Sequence, residues 1–291
     1  MPPQALLLQV VVDGLLLGAF YAIVAVGLTL VFGVMRIVNF AHGDFVMVGM
    51  YLSLLCAHGL GLDPYPAMLL VLPGVTLLAA LVYRVLIQPI LNDPEHNQVL
   101  VTLGLSLILQ NVALMVFSAD LQHVPSQWSA ATFRLGDVIV RTPMAIGFVL
   151  SVALCLGLYA LLKRTELGWR IRATALDRHA ALLCGISVER MYLLAFCLGV
   201  GSLGVVAPLL APLYYVAPTI GVNFTLTAFV VVVLGSMGNF LGALVGGLVI
   251  GLVESLGALL TGGSVPYLLT YTAFVLILLV RPTGLFGGPR L

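Results

Sequence analysis

Polar residues fall in short islands between long apolar stretches. Nine stretches, near 7–34, 41–58, 66–87, 98–118, 142–162, 191–211, 223–239, 241–260 and 266–281, are almost wholly apolar. A helix needs roughly 20 such residues to cross about 30 Å of hydrocarbon. The pattern therefore predicts an all-α fold: a polytopic membrane bundle of about 8–9 transmembrane helices, forming one membrane domain over residues 1–291. Segments 41–58 and 223–239 are short or polar at one end, which suits re-entrant or broken helices.

Composition agrees. Hydrophobic residues make up 62% of the 291 and charged residues 8%, with a mean hydropathy of +1.18. That is more apolar surface than one soluble core hides. A net charge of +1 gives no reason to expect a nucleic-acid partner. The four cysteines lack metal-like spacing, and no disulfide is expected. The N-terminus has no basic segment before its apolar run, so the first stretch is expected to remain as a membrane helix rather than leave as a signal peptide.

Basic residues stay preferentially on the cytoplasmic side. With the N-terminus outside, ten of the twelve Lys and Arg fall inside, and only Arg134 and Arg141 lie outside. This favours an N-out, C-in chain. A candidate inverted repeat fits it: VNFAHGDFVMV (38–48) and VNFTLTAFVVV (222–232) share VNF-x4-FV-x-V. The first copy is expected to begin a helix on the cytoplasmic face and the second on the outer face. Chance matching of Val and Phe is the other explanation. The glycines of GALVGGLVIGLVESLG (242–257) point to closely packed helices.

No motif for covalent or metal catalysis occurs, and no ATP-binding GxxxxGK[ST]. Any ATP consumed must be hydrolysed by another chain. The longest polar island, residues 163–190, holds six basic and three acidic residues. Thr174 and Asp177 have the spacing of a capping box and Gly185 that of a helix stop, bracketing a short helix near 175–184 with Leu176, Ala180 and Leu183 as its apolar stripe. Two readings stand: a helix that docks into a partner's groove, or a basic loop lying on anionic headgroups.

Polar residues inside the apolar stretches face the bundle interior or a water-filled cavity. Gln110, Asn111 and Glu254 are the candidates near mid-span. Gln110 and Asn111 point about 100° apart on a helix, so at most one lines a cavity. Each is equally readable as an interhelical hydrogen bond. Asp13 reads as reaching the outer interface. The densest island is RIVNFAHGDF (36–45). Asn39 can cap the following helix, and His42 and Asp44 fall in its first turns. This is either a capped turn at the membrane surface or a functional turn near a gate, with His42 and Asp44 in a pH-sensitive contact.

The stretches 14–52, 168–187 and 231–255 together resemble LivH-type permeases, the inner-membrane subunits of branched-chain amino acid ABC importers. NFAHG is the most specific part of the likeness. The resemblance implies half of a translocation pathway working by alternating access. It implies four further kinds of partner in all: a LivM-like second permease, two cytoplasmic ABC ATPase subunits using ATP and Mg, a periplasmic solute-binding protein and the lipid bilayer. It also implies no cofactor in this chain and no enzymatic activity of its own. Residues 163–190 would be the cytoplasmic coupling loop, with Arg172, Ala175, Asp177, Arg178, Ala181 and Gly185 engaging the ATPase. Asn39, His42, Gln110, Asn111 and Glu254 would line the substrate pathway. Urea, amides or another small amino acid are alternative cargoes. An ion-coupled secondary transporter is the rival of a different class, with only Glu254, Asp13 and the His42 and Asp44 pair available for coupling.

Overall fold

The computed structural model describes residues 3–261, 266–280 and 284–287. Its spine is α1 (Pro3–Met35), an almost uniformly apolar helix. A helix apolar all round is one enclosed by others, and 83% of its most apolar window is buried. Then follow α2 (His42–Leu60) and α3 (Pro64–Val82), which continues through a π turn (Tyr83–Ile87) into α4 (Gln88–Ile90). Next come α5 (Glu95–Phe117), a hairpin of β1 (Thr132–Leu135) and β2 (Val138–Arg141), and α6 (Thr142–Arg164). Two short helices, α7 (Glu166–Leu176) and α8 (Arg178–Leu183), lead to α9 (Val188–Gly201) and α10 (Leu203–Leu210), which together make one crossing. The chain closes with α11 (Ile220–Leu234), α12 (Phe240–Thr261) and α13 (Pro266–Val280).

Among the described residues, seven helices are long and apolar enough to cross a membrane. Ile220–Leu234 and Thr270–Leu279 are shorter apolar helices, and together the nine match the nine apolar stretches of the sequence.

Helices in lipid gain nothing from burying apolar surface against each other, so close packing must supply the attraction. Small residues allow it along α1 and α12, which run antiparallel. A side chain on Gly14 would strike the Leu252 backbone, one on Gly18 that of Leu248, and one on Gly247 that of Ala22. The glycine-rich pattern of 242–257 is thus half of a seam whose other half is α1.

The two ends of the bundle differ. At one end lie the N-terminus and the β hairpin, where the Gln9 amide both donates to the Ile139 carbonyl and accepts from its N–H, each at 2.8 Å. Gln9 also donates to Asp13, which fixes the carboxylate near this end. The hairpin is absent from an all-α expectation. Its alternating TFRL and VIVR flank a turn in which Gly136 takes a left-handed φ of 64°. At the opposite end Arg178 donates to Asn92 and the Tyr83 hydroxyl to the Glu189 carbonyl. Arg36, Arg84 and the segment 163–190 gather there, as the orientation rule requires.

Candidate functional site

Residues 36–41 do not form a surface turn. Arg36, in the left-handed region at φ 58°, ends α1 and turns the chain back into the bundle. α2 then begins beside Val24, about three turns before the end of α1: the buried His42 ring nitrogen Nε2 lies 3.0 Å from the Val24 carbonyl oxygen. Irregular backbone inside a bundle needs partners for its polar groups. Side chains supply them here. The Thr102 hydroxyl donates to the Val38 carbonyl, Thr225 to the Phe40 carbonyl, and the Asn39 side-chain Oδ1 accepts the Ala41 N–H at 3.1 Å. Asn39 therefore stabilises the turn before the helix. Ala41 occupies the cap position, contrary to the expectation for Asn39.

The start of α11 meets the start of α2. Gly43 and Gly221 lie back to back: a side chain on Gly43 would collide with the Gly221 carbonyl and the Thr225 backbone, and one on Gly221 with Asp44. The Gly43 N–H donates to the Thr225 hydroxyl at 2.9 Å, and the Phe40 and Phe229 rings lie 5.0 Å apart. Thus the two VNF stretches meet within the bundle rather than at its faces, the first reached from the Arg36 end and the second from the end where Val216 pairs with Gln122. The reason is the inward excursion of residues 36–41.

Two helix N-termini converge on Asp44, each presenting the positive end of a helix dipole. Asp44 is fully buried. Its Oδ1 accepts from the Gln110 amide at 3.1 Å, and Gln110 also donates to the Ser106 hydroxyl at 2.9 Å. Among the described residues its Oδ2 has no hydrogen-bond partner, nor has Nδ1 of His42 or Nδ2 of Asn39. His42 and Asp44 turn to different partners and form no contact of the pH-sensitive kind expected, because they project from different faces of the first turn.

Of the neighbouring pair on α5, Gln110 points inward and Asn111 outward, its amide bonded only to its own helix at Leu107. Glu254 is buried some distance along the seam, beside the Tyr21 hydroxyl. The structure therefore joins Gln110 to the α2 start and leaves Asn111 and Glu254 apart from it. Asp44, Ser106, Gly221 and Thr225 complete the junction. Thr225 lay in the second VNF stretch, the signal through which it could have been found.

At the basic end, α7 and α8 make an elbow. The expected capping box is replaced by two separate devices. Thr174 is buried in α7 and donates to the Arg170 carbonyl, while Asp177 alone caps α8, accepting from the N–H groups of His179 and Ala180. The Ala180 and His179 N–H bonds hold the Asp177 carboxyl below its usual range. Gly185, at φ 77°, stops α8 as predicted.

The exposed face keeps the expected stripe of Leu176, Ala180 and Leu183 but not Ala181. Ala181 is buried against its own chain. Leu176, Leu182 and Leu183 are exposed, Leu183 at 90%, with Trp169 exposed on α7. Arg172 and Ala175 line a cavity between α7 and the bundle, and Arg178 is tied to Asn92 at 3.0 Å.

Residues 10–280 match the family described as the permease component of branched-chain amino acid transport systems. The chain is 32% identical to the high-affinity branched-chain amino acid transport system permease protein LivH of Escherichia coli, over 97% of this chain and 96% of that one. It is 30% identical to the corresponding protein BraD of Pseudomonas aeruginosa, over the same shares. A probable branched-chain amino acid transport permease LivH of Methanocaldococcus jannaschii is 30% identical over 80% of this chain and 76% of its own length. No solved structure matches.

Proposed function

The chain belongs to the family of permease components of branched-chain amino acid transport systems, and from that premise we propose that it forms half of the translocation pathway of an ATP-driven importer in the bacterial inner membrane. The other half is a LivM-like permease. Two cytoplasmic ATPase subunits consume ATP and Mg, and a periplasmic binding protein delivers the solute. The cargo is a branched-chain amino acid, with urea as the runner-up.

The observation that carries this reading is the bare apolar face of α8. Leu182 and Leu183 stand exposed at the basic end of the bundle, on a helix whose ends are fixed by the Asp177 cap and the Gly185 stop. Such a rigid knob, backed by buried Ala181, is suited to a groove on a partner. Movement of the knob reaches the bundle through Arg178 and Asn92 and through α7, which packs beneath α1.

In this reading the α2 and α11 junction is the midpoint of the pathway. Asp44 can accept the ammonium of a zwitterion through its free Oδ2, and the two helix N-termini favour its carboxylate. Asp44 is closed off in this conformation, so access requires α5 to separate from α2. Gln110 belongs to the pathway and Asn39 and His42 to its supporting turn. Asn111 faces the second permease, and Glu254 is a packing group.

Replacing Leu183 with Asp tests the coupling assignment. The complex purified through a tag on this chain is expected to lose its ATPase subunits and ATP-dependent uptake, with the chain still inserted. Full ATPase retention would remove α8 from the interface.

A further inference from the structure

At the cytoplasmic end a cavity of about 290 Å³ opens between the last turns of α1, the end of α6, the elbow helix α7 and the first turn of α12. A water molecule's share of liquid is about 30 Å³, so the space is far larger than a single solvent site. Most of its wall is apolar. Among the described residues two basic side chains sit in the lining, Lys163 and Arg172, and no acidic one. The Lys163 ammonium is held at the mouth by donating to the Tyr159 hydroxyl at 3.0 Å.

Two of the three acids of 163–190 are occupied elsewhere: Glu166 pairs with Arg170, and Asp177 caps α8. Two buried polar atoms of the lining residues, Nε of Arg172 and Oγ1 of Thr29, have no hydrogen-bond partner among the described residues. An apolar groove, two cations in its lining and a buried Thr29 hydroxyl without a partner among the described residues form one chemical pattern.

The geometry points to a binding site for a single anionic phospholipid of the cytoplasmic leaflet, its phosphate on Lys163 and Arg172 and the upper part of one acyl chain in the groove. Basic pockets between membrane helices on this side attract anionic headgroups. The site is separate from the α2 and α11 junction and from the α8 knob, neither of which contributes to its lining. It joins α7 to α1 and α12, so an occupied groove splints the elbow to the bundle.

Native mass spectrometry of the detergent-purified complex, titrated with phosphatidylglycerol, tests this. One saturable phosphatidylglycerol per copy of this chain is expected, with phosphatidylcholine binding more weakly. Arg172→Gln and Lys163→Gln should each weaken it about fivefold, the attraction of one basic side chain to an anionic surface. Ala175→Trp, which fills the groove and leaves both cations, should abolish it, with Ala175→Leu as a milder plug should the larger side chain prevent folding. Arg164→Gln, on the exposed surface beside the site, should change nothing. Equal loss from Arg164→Gln and Arg172→Gln, or normal binding in a folded plugged variant, would overturn the proposal.

Discussion

At the scale of single residues, Gln110 and Asn111 separate packing from exposure most clearly. Gln110 satisfies Asp44 and Ser106 at once, and removing it leaves a buried carboxylate oxygen bare. Such a loss costs about 1–3 kcal/mol, more for a charged group. Gln110→Leu is therefore expected to lower the thermal stability of the purified chain by that order and to reduce uptake, whereas Asn111→Leu should leave the chain's own stability unchanged. Equal destabilisation by both, read from thermal unfolding, would contradict the inward placement of Gln110. The sequence marked this pair as diverging by about 100°, but not which member turns inward. That choice depends on the position of Asp44, a residue distant in sequence and brought close by the turn at 36–41.

Asp177 allows a pH argument at the same scale. Its carboxyl is depressed by the Ala180 and His179 N–H groups, so its contribution to α8 is present above the ordinary carboxylate range near 4. It is lost only as pH falls through the lower folded value. Docking of α8 is expected to be flat from pH 6 to 8 in ATPase-retention assays. A steep loss between those values would require another titrating group.

At the scale of elements, the close crossing of α2 and α11 depends on glycines. Gly43→Val would push a branched side chain into the Gly221 carbonyl and the Thr225 backbone. Overpacking of this kind typically costs about 1–3 kcal/mol. We expect a chain that inserts but shows weakened α2 and α11 contact, measurable as loss of a disulfide engineered across the crossing. Retained cross-linking with unchanged uptake would show that the junction tolerates separation.

The length of the apolar runs located the nine apolar helices because length and composition dominate in lipid. It could not show that α2 begins inside the bundle. That depends on Thr102 and Thr225 satisfying the carbonyls of residues 36–41, partners that no local pattern reveals. The capping error at Thr174 has a similar origin. Both Thr174 and Asp177 have cap chemistry, and tertiary burial of Thr174 decides between them.

At the scale of the whole molecule, the gathering of Arg36, Arg84 and 163–190 at one end predicts sidedness. Two of the C-terminal cations used in that argument, Arg281 and Arg290, lie outside the described residues. A cysteine placed at the exposed Asp137 of the hairpin turn should react with a membrane-impermeant maleimide in intact cells. Reaction only after the membrane is opened would invert the topology. Family and architecture were legible in the stretches around NFAHG, whereas the cavity beside Arg172 was not, because its four walls come from distant parts of the chain.

The central claim is transport powered by partner ATPases. Its most direct test is leucine accumulation by the tagged complex in proteoliposomes, with binding protein on one side and ATP on the other. Accumulation that requires both, and that disappears with Leu183→Asp, is the predicted result. Leucine transport by this chain alone, driven by an ion gradient and indifferent to ATP, would contradict it.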